Sequence, residues 1–232
     1  MAEVSEEQKT DFDVQQQMDK AEMFFDKNKK TLGYLGGAVA VLIAGVIAYK
    51  MWYIPEQNKE AQAQMFTAQS LFDKDSMNLA LKGGMYNGTT FVGLEEIAEN
   101  YGGTPSGASA EYMVGTALLQ QGKFEEAIEH LENFSSDDIM LSAVAIGAIG
   151  DAKMQLNQTD EAIKYYLKAA DKNTNAFTTP IYLKKAAIAY ESKSQYADAV
   201  KLYERIQKEF TKSTEGRDVE KYIQRAKTAG NL

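Results

Sequence analysis

The sequence predicts an all-α chain, with one N-terminal transmembrane helix and then an α-solenoid of helix–turn–helix repeats. Three observations predict it. Residues 31–49 form an uncharged run, TLGYLGGAVAVLIAGVIAY. Three later segments align with one another through the series EEAI, DEAI and ADAV. Around that series, apolar residues recur at helical spacing.

The bulk numbers set limits. At 44% apolar and 25% charged, the 232-residue chain has the composition of a folded protein. A net charge of −8 argues against nucleic acid as a partner, since phosphate binding needs a basic surface. The absence of cysteine removes disulfides, thiol catalysis, thiolate metal sites and lipidation through cysteine.

Four segments follow in order. Residues 1–26 are an acidic tail (Glu3, Glu6, Glu7, Asp11, Asp13, Asp19, Glu22, Asp26), read as disordered with a short helix near the membrane and placed in the cytoplasm. Residues 27–54 are the anchor. Residues 32–53 reach across the hydrocarbon core at about 1.5 Å per residue. Lys50 can snorkel to the headgroups, Trp52 and Tyr53 form an interfacial belt, and Pro55 suits an exit turn. A cleaved signal peptide does not fit, because bulky Tyr49-Lys50-Met51-Trp52 stands where small residues would be cut. Lys20, Lys27, Lys29 and Lys30 precede the span and only Lys50 and Lys59 follow closely, so the positive-inside rule puts the N-terminus in the cytoplasm and the large domain in the periplasm of a bacterium. The location is then the bacterial inner membrane, crossed once. Gly36, Ala40, Ala44 and Ala48 form a small-residue stripe beside Gly33 and Gly37, a face on which another membrane helix can dock.

Residues 55–107 form a stalk and a degenerate opening helix pair. Ala61, Met65, Ala68, Phe72 and Leu79 share one helical face up to Lys82, Gly83-Gly84 ends the pattern, and MYNGTTFVG reads as turn-rich before a second helix at residues 94–101.

Residues 108–232 hold three repeats and a closing helix at 215–229. The alanines of the anchor series, Ala127, Ala162 and Ala199, are 35 and 37 residues apart. Gly115, Gly150 and Ala187 fall at one point of each first helix, where only a small residue fits a close crossing. Leu131, Tyr166 and Tyr203 fill the inward face of each second helix, and Gly122 and Asn157 suit the turns. These segments resemble the tetratricopeptide repeat, whose period is about 34 residues. They depart from it at the bulky tryptophan-like position, which holds Glu111, Ile146 and Leu183.

No catalytic constellation is legible. His130, the single histidine, is read as a solvent-facing residue of a second helix, and neither HExxH nor a cysteine pair offers a metal site. The chain is read as a non-enzyme without cofactor or metal. By alignment the first helices present a partner-binding groove: Tyr112, Met113, Thr116 and Leu119, then Val144, Gly147, Ala148 and Asp151, then Ile181, Lys184, Lys185 and Ile188. It is semi-apolar and suits an extended segment or a partner helix.

The whole layout is similar to the YfgM-like ancillary subunit of the bacterial Sec translocon. The local stretch that carries the likeness is LEEIAENYGGTPSGASAEYMVGTALLQQGKFEEAIEHL, where a helix ending in Tyr-Gly-Gly-Thr-Pro leads into the first full repeat. The resemblance implies association with the Sec translocon channel and with a membrane-anchored periplasmic prolyl isomerase chaperone. It also implies contact with emerging secreted chains, as a chaperone-like adaptor. The alternative from another class is a scaffold of a cell-division or cell-wall assembly complex, built from the same helices, and the sequence leaves that choice open.

Overall fold

The computed structural model describes residues 6–72 and 76–232. The chain divides into two compact units, Met1–Pro55 and Glu56–Leu232.

In the first unit, α1 runs over Glu6–Ala48, 43 residues. The first five residues, Glu3 among them, lie outside the described residues. The expectation of a largely disordered tail is corrected for residues 6–26, which are helical. Between Glu6 and Leu32 the sequence has no glycine or proline and is rich in Glu, Gln, Lys and Met, all good helix formers. Among the described residues, one helical stretch is long and apolar enough to cross a membrane; it lies within Lys27–Phe72, and its most apolar window is unburied.

Pro55 does not make an exit turn. Tyr49–Tyr53 widen into a π-helical turn, closed by the Ile54 N–H donating to the Tyr49 carbonyl. A proline within a helix cannot donate to the carbonyl four residues back and crowds that turn, which the wider turn relieves. The widened turn also stacks Tyr49 on Tyr53, with ring centroids 5.1 Å apart.

The second unit takes in α2 (Ile54–Phe72) from Glu56 onward, then α3 (Met77–Lys82) and α4 (Leu94–Tyr101). Their buried residues, including Ala61, Met65, Ala68, Leu71, Ile97 and Leu94, form one core with Val114 and Leu118 of the next helix. Between α3 and α4 the turn-rich stretch is an antiparallel hairpin, β1 (Gly83–Tyr86) with β2 (Thr89–Val92), in the register Gly83 to Val92. Asn87 and Gly88 take positive φ (51° and 80°), the geometry of a two-residue hairpin turn whose twist matches the strands.

Three helix pairs follow: α5 (Pro105–Gln120) with α6 (Phe124–Asn133), α7 (Ile139–Gln155) with α8 (Thr159–Lys172), and α9 (Thr178–Ser192) with α10 (Tyr196–Glu209); α11 (Thr214–Gly230) closes the array. Side chains cap three of the starts. Thr104 Oγ1 accepts from the Gly107 N–H at 3.0 Å, Asp138 Oδ1 from Met140 and Leu141, and Ser213 Oγ from Gly216. The second helices lack side-chain caps and carry acids in their first turns instead (Glu125 and Glu126, Asp160 and Glu161, Asp198), which oppose the positive helix end.

The small position in each first helix has its physical cause. A methyl on Gly115 would lie 2.7 Å from Leu131 Cγ, and one on Gly150 would lie 2.6 Å from the Tyr166 ring. Gly122, Asn157 and Ser194 all take left-handed backbone in the turn between helices, at φ 76°, 58° and 58°. The third of these was not anticipated, since serine is not a usual left-handed residue.

Candidate polypeptide-binding face

The first helices neighbour one another: α5 packs on α7, α7 on α9, and α9 on the closing α11. They therefore form a shared surface, and the predicted groove residues divide on it. Met113 packs against the opening core, and Leu119 packs against both that core and the one between α6 and α7. The Tyr112 ring, half-buried, meets Phe134 with centroids 5.3 Å apart, and burial raises its phenol pKa. The Thr116 hydroxyl donates to the Met113 carbonyl at 3.0 Å. Val144 is half-buried, Ala148 packs on the α6–α7 core, and a methyl on Gly147 would overlap the Tyr182 ring. Ile181 and Ile188 stay open, at 39% and 44% exposure, with half-buried Lys184 between them.

Asp151 is a structural junction. Lys185 Nζ donates to both its oxygens at 2.7 Å, and the Tyr166 hydroxyl donates to Oδ1 at 2.7 Å, so one carboxylate joins α7, α8 and α9. Burial first, then the hydrogen bond to Asp151, raises the Tyr166 phenol pKa. Burial, then the charge of Asp151, pushes Tyr182 up to about 12. Glu191 does the same work one layer on, accepting from the Tyr203 hydroxyl at 2.6 Å and from Arg225 Nη2 at 2.7 Å.

At the closing end, Tyr222 carries cations around its ring: Lys184 Nζ at 4.5 Å from the centroid, Arg225 at 4.9 Å and Lys221 Nζ at 5.2 Å. Arg225 is paired with Glu191 and Lys221 with Asp218. Among the described residues no carboxylate stands in ion-pair range of Lys184, which instead lies over the Tyr222 ring.

His130 is not a free surface residue, which corrects the sequence reading. Its Nδ1 lies 2.6 Å from Glu111 Oε2, and Glu111 is buried at 7% exposure in the tryptophan-like position. The hydrogen bond to Glu111 holds the histidine above its ordinary pKa, against the opposing effect of burial. A contact across 19 residues of sequence had no local signal.

On the membrane-length helix, a methyl on Gly33, Gly36 or Gly37 would meet nothing within 4 Å among the described residues, and Ala40, Ala44 and Ala48 are exposed. Among the described residues, no group of three or more histidine, cysteine or acidic side chains is placed to hold a metal ion.

Comparison with known proteins agrees with this architecture. The tetratricopeptide repeat family model matches residues 148–214, from within α7 to the start of α11. No curated protein matches the chain. Two crystal structures from Podosopora anserina, of a protein named as a kinesin light chain with nearly identical TPR-like repeats, one of them a point variant, are similar in fold. Each is 16% identical, covers 75% of this chain and 88% of its own, and superposes with a TM-score of 0.51. The fold is an all-α solenoid of tetratricopeptide type, with one N-terminal helix apolar enough to span a membrane.

Proposed function

We propose that this protein is a membrane-tethered adaptor that binds polypeptide partners on its first-helix face, as an ancillary, chaperone-like subunit beside the bacterial Sec translocon. The observation that carries the reading is the open Ile181–Lys184–Ile188 stripe on a solenoid of tetratricopeptide type, in a chain that also has a membrane-length helix. Such solenoids serve as protein-interaction scaffolds, since stacked helix pairs offer an extended surface and no enclosed reaction site. The layout resembles that of the YfgM-like subunits, which supports three partners: the translocon channel, a membrane-anchored periplasmic prolyl isomerase chaperone, and secreted chains as they emerge. In this reading the small-residue stripe of Gly33, Gly36, Gly37, Ala40, Ala44 and Ala48 docks the span in the bilayer. The N-terminus is cytoplasmic and the repeats are periplasmic.

Extraction of the tagged full-length protein from native membranes in mild detergent, with mass spectrometry of stoichiometric companions, tests it. Recovery of the channel is the expected result. Recovery of cell-division or cell-wall assembly proteins without the channel would replace the translocon reading with that of an envelope scaffold.

A further inference from the structure

Lys184 differs from the other cations near it. Lys185, Lys221 and Arg225 each have a carboxylate partner, in Asp151, Asp218 and Glu191. Lys184 has the face of Tyr222 at 4.5 Å and, among the described residues, no carboxylate. Of these four cations, Lys184 alone has no carboxylate partner among the described residues. An aromatic face holds an ammonium in place without neutralising its charge, so the cation remains available to an incoming anion.

Ile181 and Ile188 flank it on the same face of α9 at helical spacing, both partly open. Seven residues of helix separate them by about 10 Å. An extended chain repeats same-side side chains every ~6.7 Å, so a carboxylate over Lys184 brings an apolar neighbour towards each isoleucine.

We propose that Lys184, fixed over Tyr222 and set between Ile181 and Ile188, is the anion-recognising point of the first-helix face, and that its occupant is an extended polypeptide segment with an acidic side chain between two apolar ones. The proposal rests on the reading of this face as a polypeptide-binding surface and gives it a sequence preference. The charge supplies selectivity and the isoleucines supply contact area.

The test uses the full-length protein in detergent micelles on an array of synthetic decapeptides. Each peptide carries glutamate with apolar residues two positions to either side, and each is paired with a counterpart bearing glutamine. The wild type is expected to prefer the glutamate peptides by about tenfold at low salt, with the preference falling as salt screens it. Lys184→Met keeps the stem over Tyr222 and should reduce the preference to less than about twofold while still binding the glutamine peptides, which also reports that it is folded. Lys184→Arg should restore the preference. Equal binding of both sets by the wild type, or an unchanged preference in Lys184→Met, overturns the anion site and leaves the polypeptide-binding reading standing. Binding of neither set overturns both.

Discussion

Glu111 shows how one residue can break a repeat's pattern and still be accommodated. A buried polar group left without a partner costs about 1–3 kcal/mol, and an ionised carboxylate more, and among the described residues no buried side-chain polar atom is left unpaired. For Glu111 the partner is His130, at 2.6 Å. Because this bond raises the folded-state pKa of His130, the native state binds the proton more tightly than the unfolded chain. The charged pair's contribution is therefore fully present below the unfolded histidine pKa of about 6.5 and is lost as pH rises through the higher folded value. The neutral ring keeps a weaker hydrogen bond. His130→Ala should lower stability by about 2 kcal/mol near pH 6 and by clearly less at pH 8. Thermal melts of the full chain followed by circular dichroism measure this, and a gap that does not change with pH would remove the charged pair from the account.

At the scale of elements, the hairpin is held by its neck. A methyl on Gly93 would overlap the Leu81 carbonyl and the backbone of Lys82 and Gly83, whereas one on Gly103 meets nothing within 4 Å. Gly93→Ala should cost about 3 kcal/mol, as overpacking against unyielding backbone does, while Gly103→Ala stays within about 0.5 kcal/mol. Urea unfolding midpoints compare them, and equal midpoints would show that the neck opens without cost. The repeat helices were legible because their periodicity and the recurring small residue state a packing rule locally, as Gly150 against Tyr166 shows. The turn-rich reading of residues 85–93 misses the hairpin, although Asn87-Gly88 before the β-prone Thr89-Thr90-Phe91-Val92 carries its signal. Nor did sequence separate open from packed groove positions. Ile188 and Leu119 look alike as letters, and only the cores around them decide that one is 44% exposed and the other half-buried against two clusters. The partnership of Asp151 with Lys185, 34 residues away, is likewise a product of stacking one repeat on the next.

For the whole molecule, the proposed function turns on which side of a membrane carries the repeats, because that fixes which partners the first-helix face can meet. Lysine asymmetry favours a periplasmic solenoid in the proposed topology: Lys20, Lys27, Lys29 and Lys30 precede the apolar stretch, against Lys50 and Lys59 just after it. Acidic residues weigh little in this rule, so the negative tail does not counter it. The chain's lack of cysteine makes the test clean, since any introduced thiol is the sole thiol. Lys20→Cys and Lys208→Cys place one at an exposed position on each side of the span. In intact spheroplasts, a membrane-impermeant maleimide should modify the Lys208→Cys variant and leave the Lys20→Cys variant untouched until the membrane is broken. The opposite pattern would put the solenoid in the cytoplasm, where it could meet neither emerging secreted chains nor a periplasmic chaperone. The translocon reading would then fail, while the fold and the chemistry of the Lys184 site would remain as they are.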